Sequence, residues 1–165
     1  MPSPGDRCDR RQHAWQLLHQ AYRAQMRGEL EESVALYSRS IEVFPTAEAY
    51  TFRGWAYSFQ GDYAQAIQEC KLAISVDPEF GNPYNDIGAY LIEIGRWDEA
   101  IPWLEKAAQA RRYTTPCFAR FNLGRVYERQ NRLVDAQHQF RLALEHEPSY
   151  TPARHALQRL AARWN

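Results

Sequence analysis

The side chains best able to do chemistry here are five histidines, three cysteines and a few adjacent carboxylates, so their spacing decides whether they can work together. A metal or a transferable proton needs several such groups brought close. Cys8, Cys70 and Cys117 are an odd set without close spacing, which gives neither a disulfide framework nor a zinc knuckle. His13 and His19 lie six apart and so fall on different faces of a helix. His138, His146 and His155 show no ligand spacing either, and all five read as surface histidines. Glu31-Glu32 and Asp98-Glu99 open predicted helices, where negative charge suits the helix dipole. There is no Gly-rich phosphate loop, no Gly-x-Ser-x-Gly elbow and no His-Glu-x-x-His pair. The sequence reads as non-enzymatic, with no catalytic residue, no metal ligand and no cofactor.

The residues left to explain are aromatic, ten Tyr, five Trp and seven Phe, and helices must position them. Trp15, Leu18, Tyr22 and Met26 recur at spacings of three and four, and the pattern ends at Arg27-Gly28-Glu29. A second helix passes through Val34, Tyr37, Ile41 and Val43 and stops at Phe44-Pro45, because the residue before proline is pushed out of the helical region. Later helices carry start signals in Asn82-Pro83, Thr115-Pro116 and Thr151-Pro152, each a capping side chain followed by proline. Thr46 can cap the helix from Ala47. Pro102 falls inside a predicted helix, where it should distort the first turns.

The helices repeat. Small residues of the first helix recur at Ala21, Gly54, Gly88 and Gly124, with intervals of 33, 34 and 36. Turn residues Gly28, Gly61, Gly95 and Asn131 keep the same intervals, as do Ser33, Ala66, Ala100, Ala136 and Ser40, Ala73, Ala107, Ala143 on the second helix. Small residues at these places let two antiparallel helices approach closely. Four landmarks in one register mark an array rather than a single folded unit.

The pattern resembles the tetratricopeptide repeat family, whose helix-turn-helix unit is about 34 residues long. The match is close over Tyr50, Gly54, Tyr57, Gly61, Ala66, Ala73 and Pro78, then Tyr84, Gly88, Leu91, Gly95, Trp97, Ala100 and Ala107, then Leu123, Gly124, Tyr127, Ala136, Phe140 and Ala143. In the first copy Gln20, Ala21 and Ala24 replace the usual large-Gly-aromatic set. The resemblance implies an all-α, right-handed α-α superhelix. Residues 1–13 form a flexible, partly helical lead, 14–46, 47–80, 81–116 and 117–150 form four repeats, and 151–165 form a capping helix.

It also implies a concave groove lined by each first helix. The fifth, sixth and ninth places of each repeat hold Leu18, His19 and Tyr22, then Thr51, Phe52 and Trp55, then Asn85, Asp86 and Ala89, then Phe121, Asn122 and Arg125. Neighbouring places add Trp15, Phe59 and Arg129. The candidate binding residues are therefore Trp15, Tyr22, Phe52, Trp55 and Phe59 in an aromatic N-terminal half, and Asn85, Asp86, Asn122, Arg125 and Arg129 in a polar C-terminal half. Aromatics left facing water mark interaction sites, and each ring buried by a partner contributes on the order of 1 to 3 kcal/mol. Aromatic stripes at helical spacing are more often core, so Phe52, Trp55 and Phe59 have a competing place between neighbouring helices. The clamp by which some members hold a chaperone's C-terminal carboxylate is not matched: Leu18, Tyr22, Phe52 and Asn85 stand at its places.

The implied function is a scaffold or adaptor binding a peptide or helix of another protein. The first alternative is structural self-assembly through the exposed aromatics. The second is RNA binding through aromatics with Arg111, Arg112, Arg120, Arg125, Arg129 and Arg132, against which 20 basic and 20 acidic residues balance to zero. The N-terminal stretch has no apolar run and no stretch approaches the ~18 apolar residues a membrane helix needs, so cytoplasmic residence is the expectation. Arg111 to Thr115, where the interval lengthens to 36, reads as a tolerated surface insertion or as a binding lip. Cys70, on the inward side of its helix, reads as a buried small hydrophobe.

Overall fold

The computed structural model describes residues 4–163; the first part of the expected flexible lead lies outside the described residues. Among them are nine α-helices and no strand: α1 Pro4–Met26, α2 Leu30–Val43, α3 Ala47–Phe59, α4 Tyr63–Val76, α5 Asn82–Glu93, α6 Trp97–Gln109, α7 Pro116–Arg129, α8 Leu133–His146 and α9 Thr151–Ala162. They form two compact units, one up to Pro78 and one from Glu79. In the first, α1 packs on α2 and α3 on α4, with α2 against α3; in the second, α5 packs on α6 and α7 on α8, with α6 against α7 and α9 against α8.

The turn residues explain their own spacing. Gly28, Gly61 and Gly95 have φ of 82°, 80° and 81°, and Asn131 has φ of 60°. All four sit in the left-handed region, which glycine enters freely and asparagine tolerates. The residue after each donates its N–H back into the preceding helix: Glu29 to the Ala24 carbonyl, Asp62 to Tyr57, Arg96 to Leu91 and Arg132 to Tyr127, at 2.8–3.0 Å. This is the bond that closes a helix through a left-handed residue.

The small residues mark where helices of a pair touch. A Cβ on Gly88 would lie 2.4 Å from Leu104 Cδ2, and one on Gly124 would lie 2.3 Å from Phe140 Cε1. Ala66, Ala73, Ala100, Ala107, Ala136 and Ala143 are fully buried. Where serine stands in that register it finds a partner, as Ser40 Oγ donates to the Ala14 carbonyl at 2.7 Å. Tyr37, Leu104 and Phe140 fill the cores and are fully buried, each worth roughly 1.5–3 kcal/mol of transfer free energy. Tyr37 donates its hydroxyl to buried Gln25 Oε1 at 2.8 Å. Glu69 is buried, and Arg53 Nη2 meets its carboxylate at 2.8 Å.

Several local expectations change. Thr46 caps α3 by accepting from the Ala49 N–H at 3.1 Å, but Asn82 and Thr151 already lie inside their helices and Thr115 makes no capping bond. The prolines after them set the backbone angle that starts each helix without that bond. α6 continues through Pro102, which is exposed, so the carbonyl it leaves unbonded sits on the solvated side. Arg10 donates to the Val43 carbonyl at 2.7 Å, joining the early part of α1 to the end of α2.

The lengthened junction between α6 and α7 is structural rather than a surface insertion. The Gly81 N–H donates to the Arg112 carbonyl and the Arg112 N–H to the Glu79 carbonyl, both at 3.0 Å. That pairing tucks Tyr113 into a core with Ala107 and Ala119, packed by Tyr84. A Cβ on Gly81 would lie 2.4 Å from that of Tyr113, so the close approach requires glycine.

Candidate functional site

In the first unit, α1 and α3 present a row of rings that runs from core to surface. Phe52 stacks on buried Tyr37 at 6.2 Å between centroids and meets Tyr22 at 5.8 Å. Tyr22 meets Trp55 at 6.4 Å, and Trp55 meets Phe59 at 5.3 Å. Phe52 thus belongs to the core as much as to the surface, whereas Tyr22 is 37 % exposed and Phe59 56 % exposed. Trp55 is half-buried between them. Met26, on the last turn of α1, is 50 % exposed. A packed core has no use for rings left in water, and this row was the part of the aromatic set that sequence alone could not divide into core and surface.

Trp15 stands apart from that row. It is 48 % exposed, meets His19 edge-on at 5.1 Å, and lines a shallow cleft of about 400 Å³ with Arg11, Gln12, Thr46, Glu48 and Cys8. Two other residues placed at groove positions are core: Leu18 is buried with Ala21 and Ala49, and Thr51 is buried with its hydroxyl donating to the Ala47 carbonyl at 2.8 Å.

In the second unit the polar candidates come together on α5 and α7. Arg125 Nη1 donates to Asn122 Oδ1 at 3.3 Å, the Asn122 amide donates to Asn85 Oδ1 at 3.2 Å, and the Asn85 amide donates to Asp86 Oδ1 at 3.3 Å. Every donor points the same way, so the amide dipoles align from guanidinium to carboxylate. Asn122 is buried at 8 % exposure and works as the link rather than as a free contact. The Asp86 carboxyl group is enclosed, and loss of solvation pushes its pKa up to about 7 against the smaller opposing effect of the Asn85 hydrogen bond. Arg129 is exposed and lies over the Trp97 ring at 5.1 Å, with Arg125 over the same ring at 5.8 Å.

The role of Trp97 was missed by the sequence reading. It opens α6, a second helix, and only the i, i+4 spacing of Arg125 and Arg129 hinted that both would share one neighbour. Cys117, without a readable role in the sequence, is buried on α7, and burial pushes its thiol pKa up. Cys70 is buried as expected. Among the described residues, no group of three or more His, Cys, Asp and Glu is placed to hold a metal ion, and no helix is long and apolar enough to cross a membrane.

Comparison with known proteins agrees with this architecture. Family models described as tetratricopeptide repeat match residues 47–80 and 79–146, together more than half of the chain. The small glutamine-rich tetratricopeptide repeat-containing protein 2 of Mycosarcoma maydis is 32 % identical over 78 residues, 47 % of this chain and 22 % of that protein. The chain spans less than a third of the length of the curated relatives it matches. Among solved structures, PilF of Pseudomonas aeruginosa superimposes with a TM-score of 0.88 at 20 % identity, covering 94 % of this chain and 70 % of that one. YrrB, described as a TPR protein with an unusual peptide-binding site, superimposes with a TM-score of 0.66 at 24 % identity, covering 89 % of this chain and 75 % of that one. The repeated helix pairs, their left-handed turn residues and these matches agree: the chain is all-α and belongs to the tetratricopeptide repeat family.

Proposed function

We propose that this chain is a protein-interaction scaffold whose first helices bind a peptide or helix of a partner protein. In the first unit the contact surface is the exposed part of the ring row, Tyr22, Trp55 and Phe59, with exposed Trp15 and Met26 also on α1. In the second unit it is the polar face of α5 and α7 carrying Asn85, Arg125 and Arg129, with the enclosed Asp86 accepting from Asn85. The observation that carries the reading is the exposure of Phe59 and Tyr22 at the end of a ring row whose inner member already completes the core. Trp and Tyr dominate binding energy because they bury large rigid surface at little entropic cost. The peptide-binding site of the structurally similar YrrB supports a peptide as the ligand class.

Selection from a random peptide library displayed on phage, with the full chain as target, tests this. Recovered peptides are expected to bind the Trp55→Ala and Phe59→Ala variants about tenfold or more weakly, as for truncation of a central aromatic contact, while circular dichroism shows unchanged helix content. Equal binding by both variants overturns the assignment. Light scattering that rises with concentration and is abolished by Phe59→Ala would put a second copy of the chain on this surface instead.

A further inference from the structure

We propose that the face formed by α5 and α7 in the second unit binds an acidic segment of the partner, with a side-chain carboxylate held by Arg125 and Arg129 above Trp97. The inference rests on the preceding reading that this face takes a polypeptide, and adds the chemistry of what it takes.

Two guanidinium groups lie over one indole. Arg125 and Arg129 lie 5.8 Å and 5.1 Å from the Trp97 centroid, and the ring's negative face stabilises each of them. Like charges on one platform repel, yet little on the protein offsets this. Arg129 has no carboxylate within ion-pair distance among the described residues, and Arg125 Nη2 is 3.8 Å from Glu93 Oε1, whose side chain is half exposed. Other surface arginines of the same unit are paired closely, Arg132 with Asp135 and Arg159 with Glu128, both at 2.7 Å. The helix dipole accounts for a cation in the last turn of α7; it does not account for stacking two of them on Trp97.

The arrangement is also pre-ordered. Arg125 is fixed from behind by Asn122, which Asn85 fixes in turn, so little side-chain entropy is left to lose when an anion arrives. A carboxylate accepts two parallel N–H bonds from a guanidinium fork. Glu93 beside the pair decides the kind of anion. A run of phosphates would meet its carboxylate, and the chain as a whole carries no net positive charge.

The test uses the full chain and the library peptides described above. Recovered peptides are expected to be enriched in Asp and Glu. Fluorescein-labelled copies, with every Asp and Glu changed to Asn and Gln, should bind about tenfold more weakly by fluorescence anisotropy, the loss of one charge-assisted contact. Arg129→Gln, which removes the guanidinium over Trp97, should abolish that difference, and Arg129→Lys should restore part of it. If the neutral peptides bind as tightly as the acidic ones, or Arg129→Gln leaves their ratio unchanged, the inference is overturned. Continued dependence on Trp55 would then leave the parent reading standing. A twelve-nucleotide oligouridylate that displaces the peptides at lower concentration than the peptides' own, with loss of that effect in Arg129→Gln, would overturn it in favour of a phosphate ligand.

Discussion

The Asn122 side-chain amide donates to Asn85 Oδ1 at 3.2 Å, which joins α7 to α5 across the face that carries Arg125 and Asp86. Because Asn122 is buried, its loss leaves Asn85 Oδ1 without its donor and Arg125 with Glu93 alone as a polar partner among the described residues, at 3.8 Å. Asn122→Ala is expected to lower unfolding free energy by about 1–3 kcal/mol, the cost of an orphaned buried polar group, read from the urea midpoint. An unchanged midpoint would show that solvent replaces the link freely.

Asp86 gives the fold a pH dependence of definite sign. Its carboxyl pKa is pushed up to about 7 in the folded chain by burial, against an ordinary value near 4 when unfolded. Between those values the folded state holds the proton and the unfolded state does not. The stabilising contribution is therefore complete below the unfolded value and is lost as pH rises through about 7, with a slope of at most roughly 1.4 kcal/mol per pH unit. Tyr113, whose phenol feels the Asp86 charge, stays protonated throughout this range. Denaturation of wild type at pH 5 and pH 8 should show greater stability at pH 5, and Asp86→Asn should remove most of the difference; a wild type equally stable at both would refute the burial argument.

Gly124 sets how closely α7 approaches α8. A methyl group there would overlap the Phe140 ring, which is rigid and fully buried. Gly124→Ala is expected to cost about 1–3 kcal/mol through overpacking, although alanine favours helix. Thermal unfolding decides between the two effects: a lower midpoint follows from the packing, and a higher one would mean the helices can separate without loss.

The Arg53–Glu69 pair lies at 2.8 Å with side-chain exposures of 16 % and 3 %, and Gln65 and Ser38 complete its hydrogen bonding. Arg53→Leu leaves Glu69 buried and unpaired and is expected to cost about 3 kcal/mol, while adding Glu69→Leu should recover a large part of that. A double-mutant cycle by urea denaturation measures the coupling; additive losses would show that the two side chains act independently.

The helix pairs were legible because their determinants are local. Gly28, Gly61, Gly95 and Asn131 occupy the left-handed region for reasons carried by one residue each, and their spacing appears directly in the chain. The burial of Tyr113 was not legible, because it depends on Gly81 and Arg112 pairing across thirty-odd intervening residues. Leu18 and Thr51 were placed by analogy at groove positions and are buried, Leu18 with Ala21 and Ala49 and Thr51 through its bond to the Ala47 carbonyl. Trp97 was read only as a repeat landmark, because nothing adjacent in sequence announces the two arginines that stack on it. Phe52 and Phe59, seven residues apart on one helix, look alike in sequence, yet one packs on Tyr37 and the other reaches solvent.

Backbone amide shifts of the full chain, followed by NMR while a library-selected peptide is added, show which helices the ligand touches. The largest changes are expected on α1 and α3 around Tyr22, Trp55 and Phe59, and on α7 around Arg125 and Arg129. Changes confined to the second helices, such as those around exposed Leu72 and Val76 on α4, would contradict that placement of the ligand.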